Sequence, residues 1–269
     1  MAFALGDVGQ TAIVTLAFLA DGSTAPHGCN WPIVARALGW LREQQDDETH
    51  WIDERAKEGW IYDHLLATTV LGEAYYSTRN PVLSVGCYLP ALQALTAARK
   101  AGRGWGVQTE ASDASSLITS AWACAAHQLP RELDLRLEES ELDVGTMREL
   151  LKWSYLAQEV PEGSFSRNSA SLWIQTSLGG SLSTPALDVV IEKLRSSSGE
   201  LSGTLECELG GALLAGLASY RGLDRWLWES WRDAYRSRLA ERAPVESDPG
   251  PHEIRRLAVK ALCLTLLLR

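Results

Sequence analysis

Gln44 to Trp51 reads QQDDETHW. Two adjacent carboxyls, Asp46 and Asp47, beside amides and an indole could keep one carboxylic acid protonated and deliver its proton to an apolar substrate. The same letters also suit a polar turn between two helices, where Asp side chains accept bonds from nearby backbone N–H groups. Which use they serve decides between enzyme and scaffold.

Other residues invite the same question. Asp7, Asp63, Asp113 and Asn168 each precede an apolar stretch. The simplest role for each is an N-cap, in which a short oxygen-bearing side chain takes an orphan N–H and contributes about 1 kcal/mol. Asp7 with Gln10 fits a capping box. The alternative is a rim of polar groups at a cavity mouth, reading the polar end of a ligand. Trp122 and Trp173 lie within apolar stretches and could form a cavity wall, or simply core. The ligand-binding candidates are therefore Asp63, His64, Asp113, Trp122, Asn168 and Trp173, with Asp63, His64 and Asp113 as the acids a reaction could use. Cys124 and His127, at i and i+3 in SAWACAAH, could put two metal ligands on one helix face, with Asp63, His64 or Asp113 as a third. A small core residue and a polar helix end explain the pair more simply, so neither a metal nor another cofactor is expected.

The chain has 269 residues, 46% of them hydrophobic and 22% charged, which is ordinary for a globular protein, and eleven Trp against three Phe. Its net charge of −9 argues against nucleic acid and anionic membrane as partners. Five scattered cysteines with no CxxC pair read as reduced thiols in a cytoplasmic chain. No leader pattern is present, and the most apolar run, LAVKALCLTLLLR, is too short to span a bilayer and carries a lysine.

Helical spacing recurs throughout. One kind of segment is one-sided: Trp31 to Gln45, Pro81 to Ala98, Val144 to Ala157, Pro185 to Arg195 and Leu223 to Leu239. A second kind is apolar nearly all round and rich in small residues: Gln10 to Ala20, His64 to Tyr76, Ala114 to His127, Ser169 to Leu182, Gly210 to Tyr220 and Ile254 to Leu268. A helix without a wet side must be surrounded by other helices. Six inner helices thus alternate with five outer ones, and the inner helices begin 41 to 55 residues apart. Few charges on the inner set favour a closed ring over an open solenoid. The expected fold is a single all-α domain over 1–269, an α/α toroid. Leu129 to Asp143 interrupts it as an extended, acidic insertion beyond Pro130, with Leu133, Leu135 and Leu137 alternating with charges.

The turns after the outer helices, LREQQDDETHW, ARKAGRGWG and LAQEVPEGSFS, place Gln or small polar residues before Gly or Asp and then an aromatic. This resembles the QW-type repeat of squalene and oxidosqualene cyclases and of protein prenyltransferase β subunits, which are α/α toroids. YDHLLATTVLGEAYYSTRNPVL and the terminal LDRWLWESWRDAY are similar to small bacterial prenyltransferase/squalene-oxidase repeat proteins. The resemblance implies that Gln45 with Trp51, Trp105, and Gln158 with Phe165 close their turns, the amide bonding to backbone and the aromatic covering the seam. It also implies a cavity whose aromatic faces could stabilise a carbocation.

The reaction motifs of these families are missing. No DxDD acid occurs, nor the zinc-ligand set of the prenyltransferases, the GCGEQ of complement-type thioester domains or the motifs of LanC-like cyclases. The expected function is a non-catalytic repeat domain that binds a protein or peptide partner, or an apolar ligand in the ring. The alternative is an enzyme acting on a polyprenyl-type substrate with an unorthodox acid. Six inner helices and five outer ones leave Gln10 to Ala20 without an outer partner. That seam is expected to be covered at Ala12, Val14, Leu16, Phe18 and Leu19 by a second copy, an upstream domain or a protein partner, the alternative being that the outer helix Trp31 to Gln45 shifts over it or the ring stays slightly open.

Overall fold

A segment that is apolar on every side becomes a stable helix only where neighbours enclose it, and α3 meets that condition: every residue from Trp60 to Gly72 is buried. The computed structural model describes residues 6–20, 22–24, 28–52, 60–99, 104–106, 117–132, 142–158 and 165–179. Among them the elements are α1 (Asp7–Ala20), α2 (Trp31–Glu43), α3 (Trp60–Thr78), α4 (Pro81–Leu83), a wide π turn (Ser84–Tyr88), α5 (Leu89–Ala97), α6 (Leu117–Glu132), α7 (Val144–Gln158) and α8 (Phe165–Ser177). No strand occurs among the described residues, so this part of the chain is all-α. No helix among them is long and apolar enough to cross a membrane.

Packing follows the two kinds of segment. Helices α1, α3, α6 and α8 meet in chain order, each against the next. The one-sided helices cover them: α2 lies on α1, α4 and α5 on α3, and α7 on α8. The expected inner helices from Gly210 and Ile254, and the outer ones from Pro185 and Leu223, lie outside the described residues.

Polar residues persist inside because they bond locally. The hydroxyls of Thr15, Thr68, Thr69 and Thr176 donate to the carbonyl four residues back at 2.7, 2.8, 2.9 and 2.7 Å. A buried Thr in such a helix therefore carries no unmet donor.

Several expected boundaries are corrected. Helix α3 spans Trp60–Thr78 and α8 Phe165–Ser177, so Asp63 and Asn168 lie inside their helices rather than at the cap; Trp60 and Ile61 extend the buried surface ahead of Asp63. Helix α1 already includes Asp7, which is exposed, and its first backbone bond runs from Gln10 N–H to the Gly6 carbonyl. Part of the seam is covered by the chain itself. Helix α1 is flanked by α2 and α3, and Ala12, Leu16 and Leu19 are buried within the chain, with Val14 and Phe18 half-buried. The segment Trp31–Glu43 folds back onto the helix before it and covers part of that surface from within the chain.

Two prolines shape helices in ways the sequence reading missed. Pro130 does not end α6, which continues to Glu132. Proline cannot donate to the carbonyl four residues back, here that of Ala126. The Tyr88 hydroxyl donates to the Ala126 carbonyl instead, at 2.8 Å, so the orphaned acceptor is paired. Pro90 sits at the start of α5, directly after the wide turn, in which Leu89 N–H reaches back to the Ser84 carbonyl. The extra residue in that turn relieves the crowding a proline ring imposes on a regular helix. Residues 133–141 of the expected insertion lie outside the described residues.

The turn at Gly104 and Trp105 is held tightly. Ser120 Oγ of α6 accepts the Trp105 N–H at 2.9 Å and donates to the Trp105 carbonyl at 3.3 Å. A Cβ added at Gly104 would lie 1.9 Å from Ser120 Oγ and 2.7 Å from its Cβ. Gly104→Ala should therefore expel the serine and cost about 1–3 kcal/mol. Ser120→Ala should relieve part of the overlap, so the double variant should be more stable than the sum of the two single losses; urea denaturation of all four proteins checks this.

Helix α7 is capped by Asp143. Its carboxylate accepts the Thr146 N–H at 2.9 Å and the Thr146 hydroxyl at 2.7 Å. The hydroxyl bond first, then the backbone bond, holds the Asp143 carboxyl below its ordinary range. The ionised form is thus favoured in the folded state. Its contribution is complete above the unfolded carboxylate value and fades as pH falls through the lowered folded one. The stability gap between wild type and Asp143→Ala should be widest at neutral pH and close in acid, as read from urea denaturation at a series of pH values.

Candidate functional site

The QQDDETHW stretch forms a closed turn. Gln45 and Ile52 make an antiparallel bridge, and Asp46 N–H donates to the Trp51 carbonyl at 2.8 Å. The Asp46 carboxylate accepts from Glu48 N–H at 3.1 Å, from Thr49 N–H at 2.6 Å and from the Thr49 hydroxyl at 2.7 Å. Residues Asp46 to Thr49 are all exposed, and His50 takes the left-handed conformation at φ +62° that lets the chain reverse. Asp46 and Asp47 therefore belong to the turn and not to a buried acid.

The turn is fastened from both sides. Gln45 Nε2 donates at 3.1 Å to the His50 carbonyl within the turn and at 3.1 Å to the Cys87 carbonyl of the π turn. Fully buried His64, in α3, takes the other side. Its Nδ1 accepts the Ile52 N–H at 3.1 Å, which leaves the proton on Nε2, 3.0 Å from the Ala91 carbonyl. Trp51 packs edge-on against Trp60 and against the His64 ring, with centroids 4.6 and 4.4 Å apart. The amide and aromatic roles expected for Gln45 and Trp51 are thus filled, with His64 as a third member that had been read as a candidate acid.

The second turn repeats the plan. Trp105 is fully buried, its Nε1 donates to the Leu95 carbonyl at 2.8 Å, and Ser120, early in α6, binds its backbone as His64 binds that of Ile52. Asn168 holds the matching position early in α8 and is buried. The side chains of Gln158 and Phe165 lie outside the described residues. Ser120 escaped the sequence reading because a serine in an apolar helix has no spacing signature; its place early in the helix after the turn is the signal that could have found it.

The remaining candidates fall in two groups. Asp63 is buried and its Oδ2 accepts the Gly6 N–H at 2.8 Å, tying the start of α1 to α3. Asp113 lies outside the described residues. Trp122 and Trp173 do meet, edge to face at 5.0 Å, and Tyr62 adds a third ring 6.5 Å from Trp122. These rings form a line across α3, α6 and α8, with Trp122 buried and Trp173 half-buried. Trp122 Nε1 has no hydrogen-bond partner among the described residues, unlike that of Trp105.

Cys124 is fully buried, and His127 lies over the Trp105 ring at 5.7 Å. No three His, Cys, Asp or Glu residues gather as a metal site among the described residues. The described cysteines, Cys29, Cys87 and Cys124, form no disulfide; of these only Cys29 is exposed. Burial pushes the Cys87 thiol up, partly offset by the nearby Arg42 guanidinium, so it is a poor nucleophile.

The His64 arrangement is testable. His64→Ala strands the Ile52 N–H and the Ala91 carbonyl and should cost about 2–4 kcal/mol. His64→Asn, which can keep an acceptor near Ile52 but not reach Ala91, should fall between. Long-range proton–nitrogen NMR correlations should show the Nε2–H tautomer in the folded protein. No family model, curated protein or solved structure matches this chain.

Proposed function

We propose that the chain is a non-catalytic α/α-toroid repeat domain whose inner helices bind an apolar group, carried by a small ligand or by a peptide partner. The observation that carries this reading is the use of its two described acid candidates. His64 is held in one neutral tautomer by two backbone groups, and Asp63 is bonded to the backbone at the start of α1. Groups so engaged are parts of the frame; a general acid must be free to approach a substrate. The recurrence of the turn clasp at Ile52 and Trp105 supports a repeat scaffold. The aromatic line Tyr62, Trp122 and Trp173 supports an apolar ligand, because ring faces offer large area at little conformational cost.

The test uses the neutral fluorophore N-phenyl-1-naphthylamine. Saturable binding with energy transfer from tryptophan is expected, weakened at least about tenfold in Trp173→Ala. Incubation with farnesyl diphosphate or squalene, followed by mass spectrometry, is expected to return them unchanged. Turnover that disappears in Asp63→Asn would replace this reading with the enzymatic one.

A further inference from the structure

Two buried indoles of the core are served differently. Trp105 Nε1 donates to the Leu95 carbonyl at 2.8 Å, whereas Trp122 Nε1 is shut away from solvent and meets no acceptor among the described residues. An indole nitrogen can only donate, so an accepting group is the one thing that satisfies it. The unmet donor belongs to the aromatic line, where Trp122 stands edge-on to Trp173 at 5.0 Å and to Tyr62 at 6.5 Å. Trp173 is the most exposed of the three rings, and so the one with room to turn. Ser171 Oγ and Gln175 Oε1 are unpaired too, but the Gln175 amide donates to Ser154 of α7 at 3.4 Å. Each is two residues from Trp173, about 200° around the helix, so both lie across α8 from the rings.

We infer that the apolar ligand is a small molecule bearing one neutral carbonyl oxygen, a ketone or an ester, which accepts the Trp122 indole N–H as the Trp173 ring turns aside to admit it. This inference rests on the ligand reading and narrows it. A ketone or ester brings an acceptor and no donor, so it leaves no second polar group to satisfy among the rings. A hydroxyl or a peptide amide would bring a donor of its own, and a carboxylate would carry a second charge toward the helix that already buries Asp63. The bond is also unusually productive. Most ligand hydrogen bonds replace one that the protein already made to water, whereas the Trp122 donor has no such bond to give up.

The test compares 2-acetylnaphthalene with 2-isopropenylnaphthalene, which share a shape and differ in carrying C=O or C=CH2, as competitors of N-phenyl-1-naphthylamine on the full chain. Partition into an apolar site would by itself favour the alkene. The ketone should nevertheless bind at least about tenfold more tightly, and Trp122→Phe, checked for folding by circular dichroism, should abolish its advantage. A second measurement needs only the wild type: in proton–nitrogen NMR spectra the Trp122 indole proton should move downfield with the ketone and stay in place with the alkene. If the fluorophore binds but alkene and ketone compete equally, the carbonyl is wrong and the apolar reading survives. A Trp122 indole proton far upfield of the others in the free protein would show that a neighbouring ring face already takes it, and would overturn the inference. Failure of all three compounds to bind would remove the ligand reading itself.

Discussion

The described structure turns on one neutral imidazole. His64 accepts the Ile52 N–H with one nitrogen and faces the Ala91 carbonyl with the other, so three successive pieces of chain, turn, inner helix and outer helix, converge on a single buried ring. A backbone N–H or carbonyl left unpaired in the interior costs about 1–3 kcal/mol, and here two are satisfied by one side chain. Gln45 adds a bond to Cys87, one helical turn from Ala91, and Trp51 seals the ring from water. Replace the ring by an ionised one and the Ile52 N–H would face a second donor. The tautomer is therefore a structural requirement.

The same economy explains what lies around it. Buried threonines bond to their own helix, the Tyr88 hydroxyl serves the carbonyl that Pro130 cannot, and Asp63 takes the Gly6 N–H ahead of α1. Each is a polar side chain spent on a backbone group that the packing would otherwise strand. Such uses compete directly with catalysis for the same residue types. That competition is why an apparent constellation of acids dissolves into supports once the geometry is known.

The alternation of helix types was legible in the sequence because burial on all sides and burial on one side leave different periodicities. Trp31 to Gln45 and Val144 to Ala157 were therefore placed to within two residues at either end. Starts were less legible: Trp60 looks like a loop aromatic until the surface that buries it is present. Pro130 misled because the rescue of its helix depends on Tyr88, thirty-eight residues before the Ala126 carbonyl it serves and on another element. His64 could be singled out but not assigned, since both of its partners are backbone atoms and backbone atoms leave no letter in a sequence. The turn reading of Asp46 needed only local chemistry and was available from the start.

The clasps join neighbours in time as well as in space. Each turn is fixed by the helix that follows it, Ile52 by His64 and Trp105 by Ser120, at separations of 12 and 15 residues. Short separations cost little loop entropy and close quickly. A chain emerging from the ribosome can thus complete one turn as soon as the next inner helix is out, before the rest exists. Folding can then advance through the described part from the N-terminal side one turn and helix at a time, each finished piece serving as the template against which the next is laid.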